Sequence, residues 1–171
     1  MEILISEESI QARIAELARQ IEAEYQGRHL TLIGVMTGSV MFLADLSRKI
    51  ALPMQIRVIQ AGSYHGGTQT SGMVSINEDF IPDVSGRDVI ILDDILDTGH
   101  TIAALYDLVS QRGPNSVKTA FLLRKIGRQR IPFEPNYVGF EIPNRFVIGY
   151  GLDFDEQYRH LPHIAVLPEY D

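Results

Sequence analysis

The chain has 171 residues, 45% of them apolar and 22% charged, which suits one soluble domain with a sizeable core and leaves no room for a second full one. It contains no cysteine, which excludes a disulfide framework, a thiolate zinc site and a thiol nucleophile. The net charge of −7 argues against general nucleic-acid binding. No apolar stretch nears the ~18 residues of a membrane span and no basic leader opens the chain, so a cytoplasmic protein with no membrane partner is the expectation.

Ser6-Glu7-Glu8 predicts the start of a first helix, with Ser6 as N-cap and two acids where the helix dipole favours them. Ile10, Ile14, Leu17 and Ile21 follow at helical spacing, and Gly27 is the expected stop. Leu30 to Met36 reads as a buried strand, Thr37-Gly38-Ser39 as a turn, Val40 to Ile50 as an apolar helix and Ile56 to Gln60 as a further strand. The stretch from Gly62 to Gly72 holds four glycines among small polar residues and predicts a mobile loop or long hairpin end, with a strand resuming over Met73 to Asn77.

Asp88 to Asp93 is the clearest strand, because Val89-Ile90-Ile91-Leu92 is a continuous apolar run suited to a parallel sheet covered on both faces. A helix carrying Ile102, Leu105, Tyr106 and Val109 on one face should end at Gly113-Pro114. Strands are expected over Val117 to Leu123, near Val138, over Phe146 to Tyr150 and over Ile164 to Leu167. The alternation predicts an α/β fold with a mostly parallel central sheet flanked by helices, in one domain spanning 1–171.

Chemistry concentrates in the stretch from Val89 to Thr101. A buried strand runs into Asp93 and Asp94, a short loop brings Asp97, and Thr98-Gly99-His100-Thr101 opens the next helix. Ligands of parallel sheets bind beyond the carboxyl ends of the strands, and amides and hydroxyls at a helix start form an anion cradle. Gly99 lets the backbone approach the anion closely. Taken alone, Asp97 can be a plain N-cap and the other two acids solvated strand-end residues; the concentration of three acids around this turn favours a site.

The stretch resembles the phosphoribosyl-pyrophosphate motif of type I phosphoribosyltransferases, in which four hydrophobic residues precede two acids and a Thr-Gly-x-Thr turn. Other segments, together covering most of the chain, resemble the hypoxanthine–guanine branch of that family. They are Gly34 to Ser39 with the Met41-Phe42-Leu43-Ala44-Asp45-Leu46 helix, Ser63-Tyr64 with Ser71-Gly72, Lys125 after Leu122-Leu123-Arg124, Tyr137 to Pro143, and Phe146 to Asp153 with Arg159 beyond.

The resemblance implies a Mg²⁺-dependent transfer of ribose 5-phosphate from phosphoribosyl pyrophosphate to a 6-oxopurine. It makes Asp97 the general base, assigns the 5′-phosphate to Thr98, Gly99, His100 and Thr101, and gives the ribose hydroxyls and metal waters to Asp93 and Asp94. Thr37, Gly38 and Arg159 would hold pyrophosphate, with Asp153 as a metal ligand beside Asp93 and Asp94. Lys125, the Phe146 ring and the Val147 backbone would read the base. A lid over 62–72 carrying Ser63 and Tyr64, a base-binding hood over 137–171, and a homodimer or homotetramer complete the implied picture.

Two positions depart from the commonest family pattern, Thr37 and His100, where lysines are usual; a cis bond at Met36–Thr37 is a further family trait. Three competing readings stay open. A nucleotide-sensing regulator on the same fold would want a basic face where RNA is the partner. A receiver-like phosphoacceptor leaves Lys125 and the Thr-Gly-His-Thr turn unexplained. A phosphoribosyltransferase for xanthine or adenine differs only in the base pocket.

Overall fold

A computed structural model of the chain describes residues 1–63, 74–76 and 80–168. Along the chain these form β1 (Glu2–Ile5), α1 (Glu7–Glu24), β2 (Leu30–Met36), α2 (Val40–Lys49), β3 (Met54–Ser63) and β4 (Val74–Ile76). There follow β5 (Asp88–Leu96), α3 (His100–Ser110), β6 (Ser116–Lys125), β7 (Tyr137–Ile142), β8 (Val147–Ile148) and β9 (Ile164–Val166). Ser6 caps α1 as expected, its Oγ accepting from the Ser9 amide at 3.3 Å.

The aliphatic run of β5 is the centre of the main sheet, whose order is β4-β3-β2-β5-β6-β7. Strands β3, β2, β5, β6 and β7 are parallel, and β4 joins β3 antiparallel at one edge. The period of two along each strand divides the core. Leu30, Leu32, Ile90 and Leu92 pack on Ile10, Ile14, Leu17 and Ile21 of α1 and on Phe42 and Leu46 of α2. Ile33, Val35, Val89 and Ile91 pack on Ile102, Leu105 and Val109 of α3 from the opposite face. A strand buried on both faces must be apolar throughout, which is why β5 reads as an unbroken run.

A second, antiparallel sheet of order β1-β9-β8 stands beyond the main one. Of the residues from 137 onward, Tyr137–Ile142 belong to the main sheet as β7, while β8 and β9 build the small sheet with β1. Arg13 of α1 donates to the carbonyls of Gly139 at 2.9 Å and Val138 at 2.8 Å, fixing the helix to β7. Asp45 of α2 links α1 to the segment after β8: it accepts from Gln11 Nε2 at 2.6 Å and from the Tyr150 hydroxyl and Arg48.

Several strands run further than the apolar runs indicated. β5 extends through both acids to Leu96, because β6 continues alongside and pairs Ile95 with Leu123 and Leu96 with Arg124. β3 spans Met54–Ser63, paired along its whole first half with β2. Within the expected lid over 62–72, Gly62 and Ser63 pair with Ser75 and Val74; Tyr64 and the rest of that segment lie outside the described residues. β1 was not foreseen. No helix among the described residues is long and apolar enough to cross a membrane.

Burial alone would raise the Asp45 carboxyl, but hydrogen bonds from Tyr150, Gln11 and Arg48 outweigh it and hold it below the usual carboxylate range. A lowered folded value stabilises the fold above the unfolded value, ~3.9, and that contribution is lost as pH falls through the folded one. Tyr150→Phe should therefore cost about 1.5–3 kcal/mol at pH 7, as expected for a hydrogen bond to a charged group. The gap from wild type should narrow in urea unfolding at pH 3; an equal gap at both pH values counts against the link.

Candidate active site

The site forms where β2, β5 and β6 end, with the bend after β8 packed against the turn after β2. Asp93 and Asp94 are consecutive in β5, so one side chain points to each face of the strand. Each carboxylate accepts from the next backbone amide: Asp93 Oδ1 from Asp94 N at 2.9 Å and Asp94 Oδ1 from Ile95 N at 2.7 Å. Burial raises the Asp93 carboxyl well above its ordinary range and the charge of Asp94 raises it further. Burial also raises Asp94, where hydrogen bonding to Asp93 and Ile95 and the positive charge of Arg159 partly offset the rise.

Asp97, Thr98 and Gly99 turn the chain from β5 into α3. Gly99 is the N-cap at φ +90°, a conformation that glycine adopts without penalty. The turn is braced from outside, since the Thr98 carbonyl accepts from Arg130 N at 3.0 Å and Ile131 N at 3.2 Å. Asp93, Asp97, Thr98, Gly99 and Thr101 line a cavity of about 100 Å³ at the start of α3. His100 places Nδ1 3.1 Å from Thr98 Oγ1, so its ring faces the turn as well as its amide.

The Asp97 carboxylate sits between two cations. Lys125 Nζ, at the end of the neighbouring strand β6, is 3.4 Å from Oδ2, and Arg128 Nε, in the loop after β6, is 2.9 Å from Oδ1. Arg128 was not among the residues singled out from the sequence. The signal was present, because Arg124, Lys125, Arg128 and Arg130 put four cations into seven residues around Gly127.

The turn between β2 and α2 enters through a cis Met36–Thr37 bond. Thr37 is exposed, whereas Gly38 lies against β5: a Cβ on it would come within 1.7 Å of Asp94 Oδ2. Gly151, at φ +99°, packs onto the same turn, and its Cβ would lie 2.0 Å from the Gly38 carbonyl oxygen. The segment after β8 is thus in direct contact with the turn that touches Asp94.

Arg159 binds that segment internally, donating to the Gly151 carbonyl at 2.8 Å and pairing with Asp153 Oδ1 at 3.0 Å. Asp153 also accepts the Glu156 amide at 3.0 Å. Tyr150, Asp155, Glu156 and Tyr158 all have φ between 50° and 73°, so backbone conformations that side chains disfavour gather here. The structure does not join Asp153 to Asp93 and Asp94 in one cluster; among the described residues no three acidic or histidine groups converge as a metal cage.

Phe146 is half-buried and meets Phe154 edge-on, ring centroids 5.8 Å apart. Its carbonyl accepts from Leu167 N at 3.1 Å, which makes Val147 and Val166 a non-hydrogen-bonded pair. The amide and carbonyl of Val147 consequently point away from β9, along the outer edge of the small sheet.

Residues 3–155 match the family model described as the phosphoribosyl transferase domain. The chain is 42% identical over 166 residues to the hypoxanthine-guanine phosphoribosyltransferase of Staphylococcus aureus, covering 97% of this chain and 93% of that one. It is 44% identical over 165 residues to the bifunctional protein TilS/HprT of Listeria innocua, covering 96% of this chain but only 26% of the longer protein. A crystal structure of a hypoxanthine phosphoribosyltransferase from S. aureus superposes with a TM-score of 0.92 at 42% identity, covering 99% of this chain and 92% of the other.

The raised carboxyl of Asp93 makes a prediction opposite in sign to that for Asp45. A folded value above the unfolded one stabilises at low pH, and the contribution is lost as pH rises through the folded value. In metal-free buffer Asp93→Asn should therefore unfold at a higher temperature than wild type at pH 7, with the difference closing towards pH 4. Thermal unfolding across that range is the check, and a variant less stable than wild type at pH 7 would refute it.

Proposed function

The chain belongs to the hypoxanthine-guanine phosphoribosyltransferase family, and from that premise we propose that it makes IMP, and GMP, by transferring the phosphoribosyl group of phosphoribosyl pyrophosphate to hypoxanthine and guanine, a purine-salvage reaction. The observation that carries the proposal is the pairing of Asp97, just past the end of β5, with Lys125 at the end of β6, beside the Thr98–Thr101 turn. A base and a three-donor ammonium 3.4 Å apart match the N7 and O6 edge of a 6-oxopurine.

In this proposal the turn amides and the Thr98 and Thr101 hydroxyls hold the 5′-phosphate. Asp93 and Asp94 orient the ribose hydroxyls. The exposed Thr37, the Gly38 backbone and Arg159, freed from Asp153, receive the pyrophosphate. The bond from ribose C1 to the purine nitrogen forms on the face opposite the breaking C1–O bond, the bonding electrons leave with pyrophosphate, and the purine N7 proton passes to Asp97. Lys125 donates to O6, Val147 reads the adjoining edge through its free amide and carbonyl, and the Phe146 face packs on the ring.

Mg²⁺ suits the donor set: Asp93, Asp94 and Asp153 offer hard oxygens, and burial disfavours the charge of both Asp93 and Asp94 until a cation arrives. The lack of a three-carboxylate cage among the described residues agrees with a metal that takes one or two carboxylates and completes its shell with substrate oxygens. When bound, Mg²⁺ supplies positive charge to the departing pyrophosphate. The exposed apolar residues Ile56 and Val58 of β3 support a homodimer or homotetramer.

Pyrophosphate release measured with Mg²⁺, phosphoribosyl pyrophosphate and each base in turn tests the proposal. Hypoxanthine and guanine should turn over, and adenine should fall lower in kcat/KM by about 10⁴-fold, since its amino group meets the Lys125 donor and leaves buried groups unpaired. Lys125→Ala should shrink that ratio by harming hypoxanthine. Asp97→Asn should keep the fold and lower kcat by roughly 10²-fold or more. Efficient use of adenine by the wild type would overturn the base assignment, and near wild-type turnover of Asp97→Asn would overturn the general base.

A further inference from the structure

We propose that Arg128 is a positioning residue that holds the Asp97 carboxylate by Oδ1 and so reserves Oδ2 for the purine proton. The inference rests on the function proposed above. Lys125 and Arg128 take different oxygens of Asp97, Lys125 at 3.4 Å from Oδ2 and Arg128 at 2.9 Å from Oδ1. Lys125 has two demands on one ammonium, because the same group must turn to O6 when the base arrives. Its movement uncovers Oδ2 and would leave the carboxylate free to rotate. Arg128 has no such conflict, since its guanidinium approaches from the loop outside β6.

That loop is rigidly seated. Ile126 N donates to the Ile142 carbonyl at 2.9 Å on β7, and the Arg130 and Ile131 amides donate to the Thr98 carbonyl. Gln129 joins the Arg124 guanidinium at 2.9 Å to the Phe133 carbonyl, and Phe133 meets Tyr106 of α3 edge-on at 5.7 Å between ring centroids. Arg128 is therefore mounted on the same framework as the phosphate turn, and a hydrogen bond from a planar guanidinium fixes direction where an ammonium fixes only distance. A half-exposed ion pair contributes little to stability, which leaves positioning as the consequence of this contact.

A double-mutant cycle on the intact chain tests this, with kcat and KM measured for hypoxanthine and phosphoribosyl pyrophosphate in wild type, Arg128→Ala, Asp97→Asn and the double variant. Arg128→Ala should lower kcat by about tenfold with both KM values within about threefold, and Arg128→Lys should restore most of the loss. In the Asp97→Asn background, Arg128→Ala should cost less than about twofold, because a residue that acts through Asp97 has nothing left to position. Multiplying losses, an unchanged kcat, or a raised KM for phosphoribosyl pyrophosphate with kcat intact would overturn the inference. Arg128→Gln, which keeps the stem, carries the same cycle if the alanine variant does not fold. A wild type inactive with hypoxanthine would instead overturn the functional proposal beneath it.

Discussion

The carboxylate of Asp94 lies where a side chain on residue 38 would have to stand, and the carbonyl of Gly38 lies where a side chain on residue 151 would have to stand. These two close approaches join three segments far apart in sequence: the end of β5, the turn after β2 and the bend after β8. Everything proposed for the site depends on that stacking. It seats the bend after β8 against the turn after β2 and brings Arg159 close enough for its charge to act on Asp94. The absence of two Cβ atoms permits the approach, and the hydrogen bond from Tyr150 to Asp45 ties the bend beside it to α2.

The chain carries a net charge of −7, yet the site is a mosaic of paired signs. Asp97 is clasped by Lys125 and Arg128, and Asp153 by Arg159. Among the described residues Asp93 and Asp94 pair with no such cation at contact distance, and burial works against their charge. The electrostatics thus divide the acids into pairs matched by a cation within the protein and a pair whose charge burial opposes. A dianionic or trianionic substrate fits the same division, because each cation now engaged by a carboxylate is available for exchange.

Much of this was legible in the sequence because the signals were local. The four aliphatic residues of β5, the helical spacing of Ile10, Ile14, Leu17 and Ile21, and the Thr-Gly-His-Thr turn each declare themselves within a dozen residues. What stayed hidden depends on partners elsewhere in the chain. Ile95 and Leu96 remain in a strand because β6 is long enough to pair with them. β1 has only four residues, two of them exposed, and owes its conformation to β9. Arg128 is one cation among four until the fold shows which reaches Asp97, and Asp153 looks like a free ligand until Arg159 is seen to occupy it. The divided fate of residues from 137 onward, one strand to the main sheet and two to the small one, likewise follows from tertiary pairing alone.

The small sheet joins Glu2 to Val166, the two most distant stretches of described strand. A chain made from its amino end can assemble β2, β3, β5 and β6 as they emerge, because these four strands pair in parallel with one another and all lie between residues 30 and 125. β1 has no partner until β9 has been synthesised, so the sheet carrying Val147 closes last. A nascent or truncated chain lacking residues 164–166 would hold the Thr98–Thr101 turn and its three acids without the paired small sheet beside them. On the function proposed above, the residues assigned to the sugar phosphate, and Lys125 with them, precede the sheet that carries Val147.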